Sequence, residues 1–152
     1  MKIGIALNNV GLNQAAFSAI NGINSQLNSN EHEFVIFYKE PAPLCCKLAG
    51  PAMTLDKMYH FDGALIATSL DLAIFMLRTY TPKITCIYLF DLEWIRGFGN
   101  YMLNSSIYNN PYMKVIVPSR EYEEALFNYC GRKADAIIPQ FNLLEIAKVL
   151  QK

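Results

Sequence analysis

Short apolar runs alternate along this chain with segments in which apolar residues recur at every third or fourth position. The runs are typical of buried strands, and the spaced segments are typical of helices that bury one face. Strands are predicted at residues 2–8, 33–38, 62–68, 83–90, 114–118 and 134–139. Helices are predicted at residues 12–27, 69–79, 101–108, 119–130 and 143–150. Prolines and a glycine make residues 39–60 a long loop, with room for one short strand or helix at 53–58.

The alternation of strands and helices predicts a single α/β domain over residues 1–152. Strands that are apolar throughout have both faces covered, as in a parallel sheet between two layers of helices. Right-handed crossovers then give a Rossmann-like, three-layer domain with a mainly parallel sheet of about six strands.

Composition and charge exclude several classes of protein. Hydrophobic residues make up 53% of the chain and charged residues 17%, which excludes intrinsic disorder. Thirteen Lys and Arg balance thirteen Asp and Glu, and a net charge of zero argues against a nucleic-acid partner. Neutrality also leaves little repulsion between copies, so a homo-oligomer or a protein partner is expected.

The N-terminal segment predicts neither a secretory signal nor a membrane span. Its first apolar run is short and ends at Asn8 and Asn9, whereas a signal peptide needs a longer one. Residues 3–30 carry no charge, but their many Asn and Gln amides would be unpaired in hydrocarbon. A cytoplasmic location is expected.

Four cysteines and two histidines offer no spacing that suits a metal site. Cys45 and Cys46 are adjacent, Cys86 and Cys130 are isolated, and no CxxC occurs. Reduced thiols in or near the core are the expected state, and no metal or cofactor is expected.

A ligand site is expected beyond the carboxyl ends of the strands, where open α/β sheets bind their ligands. The loops at these ends are residues 8–11, 68–69, 90–93 and 118–120. Asn9 and Gly11 lead into the first helix, whose N–H groups can hold a phosphate or carboxylate. The alternative is a simple strand-to-helix turn, since one glycine is not the GxGxxG of a dinucleotide site.

Asp91 and Glu93 are the candidate catalytic residues, because they directly follow the strand at 83–90. A carboxylate whose pKa is raised by burial can act as a general base toward a hydroxyl group. Trp94 can stack on a sugar or a base. The alternative is a solvated loop in which Asp91 is a turn residue.

Ser69, Ser119 and Arg120 complete the candidate ligand-binding residues. Each serine precedes a predicted helix, so the alternative role of both is to cap that helix. Arg120 can reach an anion in the cleft or pair with Glu123 or Glu124 on the surface.

Four segments, taken in order, resemble the N-terminal, acceptor-side half of a GT-B glycosyltransferase of the family-4 kind. They read FDGALIATS at 61–69, IYLFDLEW at 87–94, VIVPSR at 115–120 and AIIPQ at 136–140. The family pattern has a strand with a Ser-bearing turn, a His-Asp-Leu-like motif, a strand ending in Pro-Ser, and an Ile-Pro segment before a last helix. The YLFD stretch is also similar to phage DNA α-glucosyltransferases, and the Asn-rich composition suits a phage or an AT-rich genome.

The resemblance implies one half of such an enzyme, binding an acceptor or part of a nucleotide-sugar and needing a partner for transfer. It covers about the first half of a GT-B chain, and Phe90 stands where the family has histidine. The alternative is a non-catalytic Rossmann-like binding or regulatory module that acts through self-association or a protein partner.

Overall fold

Parallel strands form a single sheet at the centre of the molecule. The computed structural model describes residues 1–26, 31–79, 85–97 and 100–152. Within these ranges the sheet has seven strands in the order β3-β2-β1-β4-β5-β6-β7, and every neighbouring pair is parallel. The strands are β1 (Lys2–Asn9), β2 (Glu33–Glu40), β3 (Ala52–Thr54), β4 (Ala64–Ala67), β5 (Thr85–Tyr88), β6 (Met113–Val117) and β7 (Ala136–Ile137).

Helices cover both faces of this sheet. They are α1 (Gln14–Ser25), α2 (Leu70–Thr79), α3 (Tyr101–Tyr108), α4 (Arg120–Cys130) and α5 (Leu143–Leu150). Short 3-10 helices lie at Leu55–His60, Glu93–Ile95 and Pro139–Phe141. α1 and α5 pack on one face, while α2, α3, α4 and the 3-10 helix at Leu55–His60 pack on the other. The predicted Rossmann-like α/β fold is confirmed.

Successive residues of each strand pack into opposite halves of the core, one on each face of the sheet. Ile5 belongs to the cluster under α1 and α5, whereas its neighbour Ala6 belongs to the cluster under α2 and α4. Both are fully buried, as the two-residue period of a strand covered on both faces requires.

The observed elements differ from the predicted ones mainly at strand ends. β3 is a seventh strand at the sheet edge, at the position where the pattern left room for a short element. β7 is shorter than the predicted 134–139, because the carboxylate of Asp135 accepts the N–H of Val115 at 2.7 Å in place of a backbone partner. The predicted ends at residue 27 and at 83–84 lie outside the described residues.

Helix ends follow local side-chain chemistry. The Asn13 side chain accepts the N–H of Ala16 at 2.8 Å and starts α1. Gly131 ends α4 with φ of 73°, a left-handed conformation that favours glycine at the end of a helix. In the described part of the chain no helix combines the length and apolarity needed to cross a membrane.

Candidate functional site

A cleft of about 710 Å³ opens at the carboxyl ends of β1, β4 and β5. The chain passes from β1 to β2 on one side and returns through β3 to β4 on the other, so the strand order reverses beside β1. Open α/β sheets bind ligands at such a reversal. We call this the switch-point cleft, lined by Asn8, Asn9, Asn13, Gln14, Ala15, Thr68, Ser69, Phe90, Asp91, Glu93, Arg96 and Tyr122.

Side-chain amides build the wall of the cleft that β1 contributes. Asn9 Oδ1 accepts the N–H of Gly11 and the Nδ2 of Asn13, both at 2.9 Å. Gly11 lines a neighbouring cavity rather than the cleft, and its N–H is engaged inside the loop. This geometry favours the turn role for Gly11, while Asn9 faces the cleft as predicted for a ligand-binding residue.

Ser69 connects β1 to the start of α2. Its Oγ accepts the Nδ2 of Asn8 at 3.1 Å and, at a longer 3.4 Å, the N–H of Leu72. The hydroxyl of Thr68 donates to the carbonyl of Ala6 at 2.8 Å. Ser69 therefore lines the cleft and also acts as the predicted helix cap.

Glu93 occupies the N-terminus of α2 although 23 residues separate it from Leu70. Its Oε1 accepts the Leu70 N–H at 2.8 Å, so a carboxylate of the protein already fills this helix end. Burial raises the pKa of Glu93, the hydrogen bond from Leu70 opposes this rise, and the charges of Asp71 and Asp91 add to it.

Asp91 is paired with Arg96 across the mouth of the cleft. One carboxylate oxygen lies 2.7 Å from a guanidinium nitrogen of Arg96, and the other accepts the N–H of Leu92 at 2.8 Å. The Arg96 side chain is 79% exposed and that of Asp91 is 44% exposed, so this ion pair contributes little to stability and can open to a ligand.

Trp94 lies away from the cleft. Its ring stacks on Tyr129 at 4.7 Å with 16° between the planes, and the edge of Tyr108 packs against it at 5.4 Å. The predicted stacking on a ligand finds no support in this position, because a protein ring already covers one face. The cleft receives the half-buried ring of Phe90 instead, which packs on Tyr88 and Phe141.

Ser119 and Arg120 do not line the cleft. Ser119 stands at the cap position of α4 without the capping hydrogen bond, and its side chain lowers the pKa of the Glu121 carboxyl. Arg120 is exposed, and the described residues form no ion pair between it and Glu123 or Glu124. Neither of the two roles considered for Arg120, an anion contact in the cleft or this surface pairing, is therefore seen among the described residues.

Tyr122 is the side chain that α4 contributes to the cleft, and the sequence analysis missed it. Its hydroxyl donates to the Phe90 carbonyl at a long 3.5 Å. Asn13 and Gln14 also line the cleft and were not predicted, although their place at the start of α1, just after the β1 loop, is a usable signal. Arg96 lies in the same loop as Asp91, but nothing in the sequence indicates that these two side chains form an ion pair.

Neither a cluster of metal ligands nor a similar protein identifies a function for the cleft. Among the described residues, no group of three or more His, Cys, Asp or Glu side chains is placed to hold a metal ion. Searches against protein-family models, curated proteins and solved structures found no match to the chain. The chemistry of the cleft is therefore the basis for assigning a function.

Proposed function

We propose that this chain is the acceptor-side half of a GT-B-like glycosyltransferase. It binds a polyhydroxylated acceptor in the switch-point cleft, and it needs a partner carrying the nucleotide-sugar for transfer. The observation that carries the proposal is the lining of the cleft, in which amides, hydroxyls and two carboxylates surround the half-buried ring of Phe90. Convergent donors and acceptors beside an aromatic ring suit the hydroxyls and apolar faces of a sugar.

A neutral ligand fits the cleft better than a diphosphate. Free helix N-termini are the usual phosphate sites of α/β proteins. Here Asn13 caps α1 and the carboxylate of Glu93 caps α2, so a phosphate would have to displace a protein group. This supports an acceptor sugar as the ligand of this half and leaves the nucleotide to the partner.

Glu93 and Asp91 have different roles in this proposal. The raised pKa of Glu93 brings its carboxyl closer to the range in which it can exchange a proton with an acceptor hydroxyl. Asp91 is oriented by Arg96 and accepts hydrogen bonds from sugar hydroxyls. Because Phe90 cannot exchange protons, we expect no transfer by the isolated chain.

Equilibrium titration with neutral monosaccharides and with UDP- and GDP-sugars tests the proposal. We expect saturable binding of a neutral sugar, weakened about tenfold or more by Asp91→Asn, because a hydrogen bond to a charged group contributes about 1.5–3 kcal/mol. Glu124→Gln makes the same chemical change on an exposed carboxylate outside the cleft and should bind like the wild type. The proposal fails if no sugar saturates, or if both variants bind alike.

An exposed apolar surface favours a second candidate, a non-catalytic module that associates with another copy of itself. Ile95, Tyr101 and Met102 are 61%, 51% and 81% exposed around the start of α3. Neighbouring exposed apolar side chains are typical of interaction surfaces, and a net charge of zero does not oppose pairing of two copies.

Light scattering over a range of protein concentrations tests this candidate. Met102→Glu should raise the dimer Kd at least about tenfold, which corresponds to 1.4 kcal/mol. Leu12→Glu is the control, since Leu12 is 95% exposed on the loop before α1. A monomer at every concentration would exclude self-association.

A further inference from the structure

The loop between β2 and β3 brings two adjacent thiols together. The sulfurs of Cys45 and Cys46 lie 3.8 Å apart, and both thiols are free and half-buried. In extended backbone, successive side chains point to opposite sides, so adjacent sulfurs meet only where the chain bends. The backbone bends at both residues.

Contacts on both sides hold this loop in place. The N–H of Cys45 donates to the carbonyl of Val10 at 3.1 Å. Beyond the thiols, the Asn24 side chain donates to the carbonyl of Lys47 at 2.7 Å and accepts the N–H of Ala49 at 3.0 Å. The two sulfurs also pack against the edge of the core under α1. The pair is therefore preorganised, which lowers the entropic cost of binding a ligand through both sulfurs.

The separation of the sulfurs suits a single bridging ion. Two bonds of about 2.3 Å from one ion reach sulfurs up to about 4.6 Å apart, so a single ion can bind both sulfurs at their 3.8 Å separation. A disulfide is less favourable, because adjacent Cα atoms are about 3.8 Å apart and disulfides usually span about 4.4–6.8 Å. The thiols therefore remain available to a ligand.

A cavity of about 410 Å³ gives access to Cys45. Cys45 lines it together with Asn9, Gly11 and Glu40, so it adjoins the switch-point cleft through Asn9. No third Cys, His, Asp or Glu side chain joins the two thiols among the described residues. The site thus offers two sulfurs, which soft ions accept more readily than hard ones do.

We propose that Cys45 and Cys46 form a dithiol site that binds one thiophilic metal or metalloid ion, such as Cu(I) or trivalent arsenic. This inference is independent of the glycosyltransferase proposal. Burial raises the pKa of the Cys46 thiol, and the hydrogen bond and charge of Cys45 raise it further.

Phenylarsine oxide is the probe, because it forms a stable ring with two neighbouring thiols. Two S–H bonds and the arsenic–oxygen bond break, two arsenic–sulfur bonds form, and the oxygen leaves with both protons as water. Arsenic stays trivalent throughout, so no oxidant or reductant is needed. Intact-mass spectrometry of the reduced full-length chain then counts the phenylarsenic groups bound to each molecule.

We expect one group on the wild type, removed by excess 2,3-dimercaptopropanol. Cys45→Ser and Cys46→Ser should each weaken binding on the order of 100-fold, since the second sulfur acts at high effective concentration. Cys130→Ser removes a half-buried cysteine elsewhere and should bind like the wild type. Trp94 fluorescence during urea unfolding shows that each variant is folded.

Three results would each overturn the proposal. The first is an absence of adduct on the wild type. The second is wild-type affinity in a folded Cys45→Ser or Cys46→Ser variant. The third is loss of the adduct in Cys130→Ser, which would place the bound group elsewhere.

Discussion

Replacing Tyr88 by phenylalanine removes one oxygen atom from the centre of the molecule, and the structure specifies what that atom does. The Tyr88 hydroxyl donates to the carbonyl of Ile138 at 2.8 Å and accepts the N–H of Phe141 at 3.1 Å. All of these groups are buried. The hydroxyl thus holds the turn that joins β7 to α5 through two backbone hydrogen bonds.

The turn needs this support because two of its residues have unusual backbone conformations. Gln140 and Phe141 have φ of 56° and 53°, in the left-handed region that residues other than glycine rarely adopt. Such conformations cost on the order of 1–3 kcal/mol each and persist only when surrounding contacts hold them.

Tyr88→Phe should therefore lower the free energy of unfolding by about 3 kcal/mol. Two buried backbone groups lose their partner, and each unsatisfied group costs about 1–3 kcal/mol. For a chain of this size the melting temperature should fall by roughly 6–12 °C. Urea unfolding followed by the fluorescence of Trp94, the only tryptophan, gives the free energy.

Tyr108→Phe is the matched comparison and should have the opposite sign. The hydroxyl of Tyr108 is buried and has no hydrogen-bond partner in the described part of the chain. Its removal should stabilise the protein by about 1 kcal/mol, because an unpaired buried hydroxyl carries a desolvation penalty. Equal effects of the two substitutions, or a loss below about 1 kcal/mol for Tyr88→Phe, would refute this reasoning.

Three further predictions use the same unfolding assay. Glu93→Ala should lower the free energy of unfolding by about 1 kcal/mol, because it removes the side chain that caps α2. Glu93→Gln keeps an acceptor oxygen but cannot ionise. The wild type should lose stability as the pH rises through the raised folded-state pKa of Glu93, and this decline should be absent in Glu93→Gln. Gly63→Ala should cost about 1–3 kcal/mol, because its Cβ would collide with the carbonyl oxygen of Lys2. Gly97→Ala should stay within about 0.5 kcal/mol of the wild type, because no atom of the described residues, chain neighbours aside, lies nearer than 4.0 Å to the added Cβ. Burial raises the pKa of Tyr88 from 10.0, so stability present below pH 10 should decline as the pH rises further, and less so in Tyr88→Phe. A flat alkaline profile in the wild type would contradict this last expectation.

The location of the candidate site was predictable from the sequence, but the set of residues that line it was less so. Asn9, Ser69, Asp91 and Glu93 were expected at the carboxyl ends of the strands, and all four line the switch-point cleft. Trp94 follows directly in the same segment, yet its ring is covered by Tyr129, which is 35 positions further along the chain. A local pattern cannot reveal a partner at that distance.

Helix ends also depend on partners that a local sequence pattern does not reveal. The position of Ser119 before α4 was readable from the glutamates that follow it, but its hydroxyl makes no capping hydrogen bond to the backbone. At the start of α2 the main partner is Glu93, from a different loop. Which acceptor satisfies a helix N–H depends on what the fold brings near it.

The amino-acid sequence alone determined the order of strands and helices, the burial of both faces of the sheet and the edge at which the switch-point cleft opens. These features depend on side-chain periods over a few residues and on the handedness of crossovers, which are local properties of the chain. Only the tertiary structure decided which polar groups remain available to a ligand. Hydrogen bonds such as those of Glu93 and Tyr88 join residues 23 and 50 or more positions apart, and such pairs form only once the chain has folded.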